Sequence, residues 1–415
     1  MYTSMFRKAM LGDTALLSLD FTTGTVPTAV TFTRADSTAR ATFIDASGYV
    51  KTVASAGDAR FDYTGGVAKG LLIEAAATNL FSQSGDWTVA PWSKPAQITW
   101  DGSTTATAPD GVSAAKQITV TSGSSASVAQ SVASGTNRSL SIWVKAGSLT
   151  SFSIGIFEAS DAWGTGGTNT ASIISGPGSV SQVVGSLWNV TGLSSTVWTR
   201  VQLFRSTTST TLLAYPGSSG SGITGTAYVW GAQMESGTQA SSLIPTTTAS
   251  LTRLADDAVI RSTAWTSLYA QPGAMVVEFY RGAYGAGDRS VLATDTTAAR
   301  HWDLLHANGS ATSQIAFSSG SAVTQTGLVS GLNKVAIAWN APSPTASFDL
   351  CVNGATPTFG GSNVGTTLST WLTLGSQSTT GVSGSGTWDN YLNNSIKSVK
   401  YYTGLTYAEM QAKTT

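Results

Sequence analysis

The chain carries only two histidines and one cysteine in 415 residues, so any chemistry must rest on carboxylates and aromatic rings. His301 and His306 stand five apart. That spacing puts them on opposite faces of a strand. No cysteine and no His-Glu-x-x-His frame accompanies them, so the pattern is not that of a zinc site. Glycoside hydrolysis needs two carboxyl groups flanking the scissile bond. The five glutamates are Glu74, Glu158, Glu235, Glu278 and Glu409, and no Glu-x-Asp-x-x-Glu run occurs. Asp256 and Asp257 are adjacent and read as a solvated pair. A Gly-x-Gly-x-x-Gly run spans Gly220 to Gly225, but a strand-like segment follows it. It therefore lacks the helix N-terminus that would hold a pyrophosphate. No Gly-x-Ser-x-Gly elbow is present. The expectation is a protein without a catalytic centre.

Aromatic residues in loops are the remaining candidates. Sugar rings stack their C–H faces on Trp and Tyr, and neutral polar neighbours bond the hydroxyls. Trp163 lies beside a glycine-rich loop, Tyr284 follows Arg281-Gly282, and Trp388 and Tyr391 flank Asp389-Asn390. These four are the candidate ligand-binding residues. Asp86, Asp101 and Asp110 offer oxygens for a structural calcium, although their spacing does not single them out. No cofactor is expected. Cys351, in the strand-like run Phe348 to Val352, reads as a buried inert thiol.

These residues must be positioned by β-structure, because helical periodicity is nearly absent. Leu140, Ile142 and Val144 alternate with Ser141, Trp143 and Lys145. Met275, Val277 and Phe279 alternate likewise, as do Val335, Ile337 and Trp339. Such short alternating runs, separated by Gly, Ser, Asn and Pro, imply sandwiches. Asn353-Gly354 marks a hairpin turn. Thr406 and Glu409 have capping-box spacing, with Leu405 and Met410 as a staple, so a short helix closes the chain. The expected fold is all-β, with two tandem jelly-roll sandwiches behind an irregular N-terminal segment. Residues 1–78 form that segment, 79–245 the first sandwich, 246–255 a linker and 256–415 the second sandwich.

Composition narrows the function. Charged residues make up 11%, against roughly a quarter in typical globular proteins. The surface is thus built of Ser, Thr, Gly and Asn, which suits hydrogen bonding to neutral partners such as sugars. Lys plus Arg is 22 and Asp plus Glu is 22, so no basic field exists to hold nucleic acid. No apolar run approaches the ~20 residues of a membrane helix. The opening residues lack the apolar core of a signal peptide.

Two series of motifs resemble tailed-bacteriophage virion proteins. The first is Thr31-Phe32-Thr33-Arg34-Ala35, Arg60-Phe61-Asp62-Tyr63, Gly70-Leu71-Leu72-Ile73-Glu74 and Thr78-Asn79-Leu80. It is similar to a segment of tail-fibre, tail-appendage and head-spike proteins. The second is Trp198-Thr199-Arg200-Val201, Trp230-Gly231-Ala232-Gln233-Met234-Glu235 and Ser241-Ser242-Leu243-Ile244-Pro245-Thr246. It resembles the end of the carbohydrate-binding-like jelly roll of the same proteins. The third region, through Ile396 to Tyr402, is similar to concanavalin A-like, laminin-G-like sandwiches.

The resemblance implies a virion protein held to other virion proteins by its N-terminal segment and facing host-surface polysaccharide. Tail fibre or appendage is the first reading, head fibre or capsid decoration the second, and a polysaccharide depolymerase the third. It also implies a homotrimer, which would cover aromatic strand faces such as that of Trp143 and Tyr228. Within the motifs, Arg60 and Asp62 are expected to pair, and Glu74 to accept backbone donors.

Overall fold

The computed structural model describes residues 15–415 apart from 122–126, 134, 158–167, 207–210, 217–223, 262–267, 269–271, 283–288, 295–301, 307–311, 318–321, 340–345, 364–370 and 377–390. The chain is almost entirely β and forms two compact units. One collects Met1–Ala35, Gly57–Ala75 and Ala255–Thr415; the other collects Asp36–Ala56 and Ala76–Leu254. The first 78 residues are thus shared out between the units. The segment 246–254 belongs to the second unit, where Leu251–Arg253 pairs with Ala77–Asn79. Arg253 and Thr246 are buried there, in the stretch expected as a linker. The Thr246 N–H donates to the Ser84 hydroxyl, far away in sequence, at 2.9 Å.

In the first unit, the described strands form an eight-stranded and a seven-stranded antiparallel sheet. Gly273–Arg281 and Asn394–Tyr402 pair at the middle of the larger sheet, and Leu17–Asp20 and Val67–Ile73 both join Asn394–Tyr402. Alternation explains the layering. Met275, Val277, Phe279, Val335, Ile337 and Trp339 face the seven-stranded sheet across one core with Leu292, Leu304 and Leu372. Each such side chain contributes about 1.5–3 kcal/mol by leaving water. The intervening residues Val276, Ala336, Ala338 and Cys351 form a second layer under Met410 of the closing helix, Tyr407–Thr414. That helix starts as its residues imply, with the Thr406 and Glu409 side chains capping each other's backbone N–H. Asn353 and Gly354 both take positive φ (46° and 74°) at the turn after Ala346–Val352. The Cys351 thiol is buried against the Ala355 carbonyl and the Thr414 hydroxyl, and burial pushes its pKa up.

Tyr401 is nearly wholly buried in this core, and its hydroxyl donates to the Leu268 carbonyl at 2.9 Å. Burial pushes its pKa up to about 12, from an ordinary 10. The folded phenol keeps its proton where the unfolded one loses it. Its contribution to stability is therefore complete below pH ~10 and lost as pH rises to ~12. Alkaline titration of phenolate absorbance is expected to show Tyr401 ionising with unfolding in that window. Tyr401→Phe is expected to weaken the alkaline loss.

In the second unit, a five-stranded sheet faces a six-stranded sheet in the order Asn169–Ser175, Thr199–Arg205, Arg138–Ala146, Gly225–Ser236, Ala114–Val120, Ile98–Thr107. Leu140, Ile142, Val144, Val201, Ala227 and Val229 line the core between the sheets. Trp87 and Trp92 stack there at 4.2 Å. The outer face of the six-stranded sheet carries the alternate residues, and the hairpin of Thr42–Ile44 and Val50–Thr52 belongs to this unit.

Candidate functional site

Arg34, Arg60 and Glu74 of the first motif series form a buried polar clamp with Asp256. Arg34 donates to Asp256 at 2.9 Å and to the Asp58 carbonyl at 2.9 Å. Arg60 donates to Glu74 and to Asp256, and the Glu74 backbone N–H also reaches Asp256 at 2.9 Å. Burial alone would push the Arg60 guanidinium down, but the charges of Asp256 and Glu74 outweigh it and hold it above its ordinary value. Asp256 is thus a buried ion-pair centre and not half of a solvated pair. Asp62 pairs with Lys69 at 3.2 Å, and Arg60 is held by Glu74 and Asp256.

In the second unit, Asn79 donates to the carbonyls of Ala232 and Ile244 and accepts from Phe81 N–H. Gln233 donates to Glu235 at 2.8 Å and accepts from Ile244 N–H at 2.6 Å. Glu235 also accepts from the Ser241 N–H and hydroxyl. Burial raises its pKa, against those hydrogen bonds and the charge of Arg253. Asn79, Gln233 and Glu235 therefore fix backbone.

The sequence-predicted aromatic sites fare differently. Trp163, Tyr284 and Trp388 lie outside the described residues. Tyr391 is partly buried and packs against the core of the first unit. His301 and Glu158 also lie outside the described residues. Asp86 accepts from the Thr88 N–H and hydroxyl, and Asp110 from the N–H groups of Val112 and Ser113. Both aspartates close local turns. Among the described residues no three His, Cys, Asp or Glu side chains gather to hold a metal, and no helix is long and apolar enough to cross a membrane.

The aromatic site that does form lies on the outer face of the six-stranded sheet. Register puts Gln117, Tyr228 and Lys145 in one row across three strands, and Trp198 comes immediately before the strand paired beside Lys145. The alternation that buries Ile118, Val229 and Val144 sends these residues outward. Lys145 Nζ sits 5.1 Å from the ring centroid of Trp198 and 5.1 Å from that of Tyr228. Each such contact is worth about 0.5–1 kcal/mol at an exposed site. Gln117 donates to the Tyr228 hydroxyl at 2.8 Å, and Trp198 Nε1 donates to the Thr107 carbonyl at 2.9 Å. All four side chains remain partly exposed. Partial burial lowers the Lys145 pKa.

The neighbouring part of the same face is closed. Trp143 and Trp230 meet edge-on at 5.5 Å, and the Arg200 guanidinium lies 4.3 Å over the Trp143 ring. Val50 and Leu243 pack onto this pair. Gly231 (φ +65°) leaves room for it, since a Cβ there would stand 2.7 Å from Trp143 Cε3. Trp143 is therefore covered by the chain's own residues, and no second copy is needed to bury it. The open half presents two aromatic faces, an ammonium and an amide, a set suited to binding a ring-shaped polar ligand. Sequence reading picked out Lys145 and Tyr228 only as strand residues. It missed Trp198 and Gln117 as site residues, because only strand pairing brings them together.

No protein-family model matches the chain, and no curated protein matches it. Among solved structures, the CBM40 of the Ruminococcus gnavus IT-sialidase aligns at 17% identity over 37% of this chain and 87% of its own length, with a TM-score of 0.29.

Proposed function

We propose that this protein is a non-enzymatic adhesive component of a bacteriophage particle, a tail fibre or tail appendage, that contacts host-surface glycan. The observation that carries the glycan contact is the open Trp198–Lys145–Tyr228–Gln117 face. The virion assignment rests on the motif resemblance, whose residues form the clamps that define the scaffold. Attachment to other virion proteins through the N-terminal segment and assembly as a homotrimer belong to the same reading. The described glutamates support a non-catalytic role. Glu74 holds Arg60, Glu235 holds Ser241, Glu278 holds Lys397 at 3.1 Å, and Glu409 caps the closing helix.

Trp198→Ala is expected to weaken binding to host surface polysaccharide at least about tenfold, ~1.4 kcal/mol, with little change in thermal stability. Binding by surface plasmon resonance checks it, and unchanged affinity removes this face from the reading. Cryo-electron microscopy of purified virions separates a tail position from a head fibre or capsid decoration; absence of the protein from particles ends the virion reading. New reducing ends after incubation with the polysaccharide would replace adhesion with depolymerisation.

A further inference from the structure

We infer that the sugar taken by the outer face of the six-stranded sheet carries a carboxylate. The inference rests on the glycan reading above and names the ligand class of that site. Lys145 is the cation of the open half, and its ammonium is held equally by two rings, 5.1 Å from each. The rings orient the charge but accept none of its three N–H bonds as a carboxylate would. Among the described residues, no carboxylate and no hydrogen-bond acceptor holds this ammonium.

Other cations of the second unit show the contrast. Lys51 also lies over a ring, that of Tyr49 at 5.1 Å, yet it donates to the Asp110 carbonyl at 3.0 Å. Lys94 lies 6.0 Å from Trp100 and donates to the Ile98 carbonyl at 2.6 Å. Arg200 lies over Trp143 and donates to the Ser141 hydroxyl and the Ser241 carbonyl. In each case the ring contact is accompanied by an acceptor from the chain itself. Among the described residues Lys145 has no such acceptor, and the position stays partly exposed.

A pyranose stacked on Trp198 or Tyr228 brings its substituents to the ammonium. A hydroxyl would satisfy one N–H. A carboxylate would satisfy it with charge, making a bond roughly twice as strong as the neutral one. A neutral sugar leaves the ammonium partly desolvated by the ligand without a counter-charge, which opposes binding. Gln117, whose amide already touches Tyr228, supplies hydrogen bonds to hydroxyls on the same row.

The test uses the full chain and two polymers: polygalacturonate, and the same polymer with its carboxyls reduced to alcohols. Wild-type protein is expected to bind the polyuronate at least about tenfold more tightly and to lose that preference in high salt. Lys145→Met is expected to bring the affinity ratio close to one, while Lys145→Arg keeps most of it. Melting temperatures of both variants report whether they remain folded. Equal wild-type affinity for the two polymers overturns the inference. So does binding of neither polymer, or a folded Lys145→Met variant with the ratio intact. The glycan reading survives those results as long as Trp198→Ala still weakens binding to host polysaccharide; it falls if Trp198 proves irrelevant there.

Discussion

Replacing Asp256 with alanine is expected to cost about 3–5 kcal/mol of folding stability. Asp256 is fully buried and holds three donors: the Arg34 guanidinium, the Arg60 guanidinium and the Glu74 backbone N–H. Removing it takes a counter-charge from both guanidiniums at once, in the buried interior. The penalty is the cost of uncompensated buried charge, not the net worth of an ion pair. The matching control is Asp62→Ala, which breaks the partly exposed Lys69 pair at 3.2 Å. That change is expected to cost no more than about 1 kcal/mol. Urea unfolding at unchanged slope measures both. If the two variants shift the midpoint alike, Asp256 is not the electrostatic centre of the first unit.

The second large effect is expected at Gly70. Its φ is +106°, and a Cβ there would stand 2.1 Å from the Ile396 carbonyl oxygen and 2.7 Å from Lys397 Cα. Both obstacles are backbone, so no side chain can swing aside. The same residue sits where Val67–Ile73 bulges against Phe61–Thr64, with Asp62 opposite Gly70 and Tyr63 opposite Ala68. Gly70→Ala must therefore pry Val67–Ile73 away from Asn394–Tyr402 or abandon the bulge. A loss of about 3 kcal/mol is expected, from strain at positive φ and overpacking together. Gly65→Ala separates the two terms. Gly65 also has positive φ (+57°) but nothing within 4 Å of its Cβ position. It is expected to lose only the ~1–2 kcal/mol of the conformation itself. Equal losses at the two glycines would mean that the close approach carries no weight.

Local patterns were legible without coordinates because their physics is local. Leu140, Ile142 and Val144 alternate with outward neighbours since a strand repeats every two residues, and they line the core as that alternation requires. Thr406 caps its helix three residues before Glu409, a relation within one turn. Asn353-Gly354 bends where both residues tolerate positive φ. By themselves, such short-range rules determined an all-β chain with a closing helix and a low-charge surface.

Long-range placement was decided only by the tertiary structure. Asp256 looks like one of two adjacent acids, yet its partners Arg34, Arg60 and Glu74 arrive from strands and loops far earlier in the chain. Arg60 pairs with Asp256, 196 residues away, because burial strengthens the interaction between charges that are buried together. Lys145, Trp198 and Tyr228 belong to separate segments, and their meeting depends on the order and register in which strands pair. Alternation assigns a residue to a face of a strand. Which faces become neighbours is set by sheet order, through hydrogen bonds that every backbone can make.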